Sequence, residues 1–226
     1  MTRFRGGETL RPVNSAGDAF VFPFHDPQWV GKIVVQALIL IIPIVGLIAL
    51  AGWMLMTLDN LRAGRQELAP AGFHLNRGIS LFGVWFLYAL ILSIPSDVLN
   101  GIGNAMRSPG QPYTGNGFTG LGGLLGLAGD LVLYFLLPSI IVMTYHHGFS
   151  GGVDVLGVWR LATGNVNNSV VAGLVMFAAA IIGALGLVAC CIGVFFTGAY
   201  AAAVMIGVTA WFERAQAIPT AAPPAA

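Results

Sequence analysis

Charge is what this chain has least of: 10 Lys or Arg and 9 Asp or Glu are spread over 226 residues. Ordinary soluble domains are roughly 25% charged, so a chain with 8% cannot dress a water-facing surface. Cysteine is almost missing too. The only two, Cys190 and Cys191, are adjacent and lie inside an apolar run, where a disulfide framework is geometrically implausible. The spaced signatures of catalysis and cofactor binding are also lacking: there is no HExxH, Walker loop, nucleophile elbow, CxxC, carboxylate pair, or GxGxxG leading into a helix. The expectation is a non-enzymatic protein without a cofactor. A formal charge of +1 gives no reason to expect a nucleic-acid partner.

What is present is apolar and blocked. Residues of apolar type make up 57% of the chain, gathered at 33–58, 79–101, 121–145, 169–189 and 192–212. A helix needs about 20 residues to cross the ~30 Å hydrocarbon layer, and each block has that length. The expected fold is all-α: a polytopic transmembrane helix bundle of about five apolar segments, with short interfacial helices and the lipid bilayer as solvent. Residues 1–28 read as a polar leading segment, 29–213 as the transmembrane domain, and 214–226 as an Ala/Pro-rich disordered tail. The segment MRSPGQPYTGNGFTG (106–120) reads as a loop. Residues 152–166 read as a short interfacial helix with Val155, Val158, Trp159 and Ala162 on one face.

Topology follows from the placement of Lys and Arg, which resist translocation. If all five blocks cross, Arg3, Arg5, Arg11, Lys32, Arg107 and Arg214 oppose Arg62, Arg65, Arg77 and Arg160, six against four. If the first block enters and leaves by one side, every positive residue except Arg107 shares that side, nine against one. The second arrangement requires a break, which IIPIVG (41–46) supplies: Pro43 removes an amide donor and Gly46 permits a turn. Irregular backbone at membrane depth would then have to be screened from lipid by the other helices. A single kinked helix is the alternative.

Six residues stand out as candidates for function. Asp130 and Asp97 are ionisable groups within apolar blocks, at a cost of ~2.5–3.5 kcal/mol each on insertion scales. The bland reading makes Asp130 a helix-start or interface carboxylate, whereas the sharper one places either residue on a proton or cation pathway. Pro43 and Gly46 mark the break. His146 and His147 close the third block, but adjacent helical positions point ~100° apart and do not make an i, i+4 metal pair, so an interfacial polar cap is the expected role. Small residues four apart, namely Gly122 with Gly126, Gly198 with Ala202, and Ala203 with Gly207, suit close helix packing or a homo-oligomer contact. Cys190 and Cys191 read as small packing residues.

The run FPFHDPQWVGKIVVQALILIIPIVGLIALAGWML, with GFSGGVDVLGVWRLATGNVNNSVVAGLV and CCIGVFFTGAYAAAV further on, resembles the family of prokaryotic polytopic membrane proteins known as domain of unknown function 4013. The resemblance spans about residues 20–213 and rests on the DPxW motif, the IPIVG break and the xIGxFxTxxY closing hairpin. The Gly/Pro-rich loop at 107–120 departs from it. The resemblance implies a multi-pass fold in the prokaryotic inner membrane, and it brings no catalytic residue. With the charge bias it leads to cytoplasmic N- and C-termini. The functional expectation is a scaffold, assembly or accessory subunit, with a homo-oligomer or a membrane complex as partner. A small channel or transporter using IIPIVG and Asp130 is the alternative.

Overall fold

The structure is a computed structural model that describes residues 13, 15–107, 113–188 and 192–217. The described residues contain seven α-helices: α1 (Trp29–Leu40), α2 (Val45–Arg62), α3 (Leu75–Ala105), α4 (Asn116–Val153), α5 (Val155–Gly164), α6 (Val166–Leu185) and α7 (Gly193–Ala217). Four of them, α3, α4, α6 and α7, are long and apolar enough to cross a membrane. The expected helical bundle is therefore what forms. Cys190 and Cys191 lie outside the described residues, as do 108–112 of the Gly/Pro-rich loop.

The first apolar block is not one kinked helix. A continuous helix from 29 to 62 would separate its ends by ~50 Å at 1.5 Å per residue. Instead, the Lys32 ammonium in the first turn of α1 donates to the Leu68 carbonyl, just beyond the end of α2, at 2.7 Å. The block is a helical hairpin with both ends at one end of the bundle. Its tip is built by local chemistry. Pro43 ends α1, and the Val45 amide reaches back to the Pro43 carbonyl at 2.6 Å, closing a γ-turn with Ile44 at φ 64 and ψ −58. That conformation is rare and strained for a β-branched residue. The amides of Ile41, Ile42, Gly46 and Ile48 all donate within the turn and its flanking helix ends.

Screening of the tip by the other helices, expected above, does not occur: Ile41 to Val45 are exposed on the surface of the chain. Internal pairing of the amides of Ile41, Ile42, Val45, Gly46 and Ile48 takes over part of that role, because hydrocarbon penalises unpaired backbone groups and not exposed apolar side chains.

Helices α3 and α4 form a long antiparallel pair. The Ser96 hydroxyl donates to the Gly122 carbonyl at 2.8 Å, and a Cβ on Gly126 would lie 2.9 Å from Ser96 Oγ. The small pair Gly122/Gly126 is thus a helix-packing face. Both helices run through an internal proline, Pro95 and Pro138 respectively. Near its end α4 breaks at Gly148, whose φ of 66 and ψ of −153 only glycine adopts freely. Asp154 then caps α5, its carboxylate accepting from the Gly157 amide at 3.1 Å, and Asn165 caps α6 by accepting from the Asn168 amide. Helices α6 and α7 return as an antiparallel pair, with Thr197 donating to the Gly183 carbonyl at 2.7 Å.

Several boundaries move relative to the sequence reading. Helix α4 begins at Asn116, so the end of the expected loop at 106–120 is helical. Helix α7 runs on to Ala217, past the expected limit at 213. The leading segment is more than polar chain: 16–25 forms two short 3-10 turns in which Ala19 and Phe22 are buried. A Cβ on Gly207 of α7 would lie 3.1 Å from the Phe22 ring, so this segment seals α7. On α5, Val158 and Ala162 are buried, but Val155 and Trp159 of the same expected face are exposed.

Six of the seven described cations, Lys32, Arg62, Arg65, Arg77, Arg160 and Arg214, gather at the end where the hairpin opens. Arg107 stands at the other. The described chain ends also meet there, with Arg214 Nη2 donating to the Val13 carbonyl at 3.2 Å.

Candidate functional site

Polar side chains concentrate at the charged end, in two networks. The first is buried. Asp26, 2% exposed, accepts from the Gln28 amide at 2.8 Å, the Leu68 amide at 2.9 Å and the Lys32 ammonium at 2.7 Å. The segment 66–72 thereby folds back into the open mouth of the hairpin. Trp53 donates its indole N–H to the Ala69 carbonyl at 2.9 Å, Thr57 accepts from the Ala69 amide at 3.1 Å, and Gln36 accepts from the Gly72 amide at 3.4 Å. Leu68 and Ala69 are buried as a result.

The second network ties helix ends together. Asp59 of α2 accepts from the Tyr145 hydroxyl of α4 at 2.5 Å and pairs with Arg77 of α3. Arg62 of α2 donates through Nε to Glu213 of α7 at 2.9 Å and also engages the second carboxylate oxygen through Nη2. Its guanidinium lies 4.3 Å over the Tyr145 ring, a favourable cation–π position. His146 Nε2 lies 2.8 Å from Arg62 Nη2 and 3.0 Å from Glu213 Oε1. One ring nitrogen cannot accept from the first and donate to the second at once, so the tautomer of His146 decides which bond it makes. The arrangement is suited to latching four helices.

The six sequence candidates are not brought together. His146 joins the second network, while the neighbouring His147 contributes its ring only against His146. Among the described residues no three His, Cys, Asp or Glu side chains converge on a metal position. Pro43 is exposed at the hairpin tip, and Gly46 is buried where the two arms meet. A Cβ there would stand 2.5 Å from the Ile39 carbonyl oxygen and 2.7 Å from the Leu40 Cα, so Gly46 is a packing requirement. Asp97 and Asp130 are both exposed on the outside of the α3–α4 pair. Because α4 starts at Asn116, Asp130 lies ~21 Å along the helix, so it is not a helix-start residue; the interface and pathway readings both stand.

The residues that do cluster, Asp59, Arg62, Arg77 and Glu213 in one network and Asp26 with Lys32 in the other, form no spaced motif along the chain. Their signal was sidedness: Asp59 and Glu213 are acids at the same end as the cations that the topology count had already grouped.

Four spanning helices, a hairpin that opens to one side and a charged rim on that side define a polytopic helical membrane protein. The chain belongs to the family described as protein of unknown function (DUF4013), which matches residues 35–192. That stretch takes in the last six residues of α1, the hairpin tip, α2 and α3 to α6. No curated protein and no solved structure matches the chain.

Proposed function

We propose that this protein acts without catalysis, as a scaffold, assembly or accessory subunit of the inner membrane, and that the outer face of the α3–α4 pair receives a partner within the bilayer. The observation that carries this reading is Asp130. It is exposed in the apolar part of α4, with the exposed Leu127 and Leu131 beside it. A carboxylate held against lipid costs ~2.5–3.5 kcal/mol, a cost that a neighbouring helix offering a hydrogen-bond donor removes. Gly120 and Gly123, with no atom within 4 Å of an added Cβ, leave room for close approach. The clustering of described cations at the hairpin's open end supports a cytoplasmic location for that end and for both termini.

The test is a photo-crosslinking residue at position 127 in native membranes. A discrete heavier product is expected, reduced at least tenfold in Asp130→Leu. Solute flux by the purified protein in liposomes would overturn the reading.

A second reading, a small channel or transporter, draws support from the hairpin, since a helix pair entering by one side can line a path. Flux should then be lost in Asp130→Asn and Pro43→Ala, and flux unchanged by both removes it.

A further inference from the structure

A cavity of about 300 Å³ lies between α2, α3, α4, α6 and α7. Of its sixteen lining residues only Trp85 and Tyr134 carry a polar side-chain group beyond a thioether. At ~30 Å³ per molecule in the liquid, on the order of ten waters would share two hydrogen-bonding side chains, whereas each buried water makes about three hydrogen bonds. Water is therefore a poor occupant, and a void of this size within lipid forfeits dispersion contacts on every wall.

The position of the cavity says what fills it. Helix α2 stands between α3 and α7 and packs on both. It supplies one wall, including Leu47 and Met54. The hairpin turns back at 41–44, with Leu40 Cδ2 3.5 Å from the position of a Cβ on Gly198 of α7. Where the hairpin ends, the wedge between α3 and α7 ends with it. Leu47 and Trp85 stand at this mouth, 42% and 36% exposed. Apart from Met205, the α6–α7 wall is built from small residues, among them Gly183, Gly198, Ala201 and Ala202, which give a smooth surface suited to a flexible chain. We propose that the cavity binds one acyl chain of a bilayer phospholipid, admitted sideways between α3 and α7 beneath the hairpin tip.

The test uses the full chain in nanodiscs of phosphatidylethanolamine and phosphatidylglycerol, doped with a phospholipid bearing a diazirine near the end of one acyl chain. Photolysis and peptide mapping should place adducts on Leu47, Trp85 and the stretch 198–205. Ala202→Trp, or Ala201→Leu if the first does not elute as a single folded species, should lower those adducts at least fivefold and leave labelling at Leu124 on the outer face of α4 unchanged. Three outcomes overturn the proposal: cavity labelling no higher than at Leu124, cavity labelling indifferent to both filling substitutions, or a cysteine at position 47 forming a disulfide with a second copy.

Discussion

Removing the Asp26 carboxylate strands three donors at once, the Lys32 ammonium and the amides of Gln28 and Leu68. Breaking a buried pair of this kind costs ~3–5 kcal/mol, so Asp26→Ala should lower the melting temperature in detergent sharply, and Asp26→Asn by less. Glycines divide by what surrounds them. A Cβ on Gly78 would collide with the Ile48 carbonyl where α3 crosses α2, and Gly78→Ala should cost ~1–3 kcal/mol. Gly31, inside α1 with no atom within 4 Å, should gain ~0.5–1 kcal/mol on conversion to alanine. Calorimetry or scanning fluorimetry of the two variants should show shifts of opposite sign. The DPxW motif drew attention to Asp26 in the sequence. Its partner did not show itself, since Leu68 lies 42 positions away and no local pattern links them.

At the level of elements, Gln28→Cys and Arg65→Cys should react with an impermeant maleimide from the same side of intact cells or vesicles, and Tyr113→Cys from the opposite one. Labelling of 28 and 65 from opposite sides would restore the single kinked helix. The Arg62–Glu213 pair, partly exposed at 31% and 19%, should show a coupling of ~0.5–1 kcal/mol in a double-mutant cycle, since solvent screens it. The hairpin was legible because lysines and arginines record sidedness, and Pro43 supplied a place to turn. Helix ends were less so. Glycine-rich sequence after 115 looks like loop by composition, but its glycines at 122 and 126 are there to let α3 approach. Tertiary contact overrides local preference at such positions.

For the molecule as a whole, apolar content and block length were enough to place it in lipid. An alkaline carbonate wash should leave the protein in the membrane fraction, with release only on adding detergent. The candidate site was far less legible. Exposed Asp97 and Asp130 could be found by scanning apolar blocks for acids, whereas the latch of Asp59, Arg62, Arg77, Tyr145 and Glu213 draws on four helices and exists only once they pack. The hairpin also bears on how such a chain can be rearranged. Because it goes in and comes out through the same face, it is neutral in the parity of crossings: excising residues 29–62 as a unit would leave α3 and everything after it facing the compartments they face now. Sidedness is therefore set by the four helices alone, although α2 packs among them, and a reporter fused to either terminus should read the same compartment with or without the hairpin.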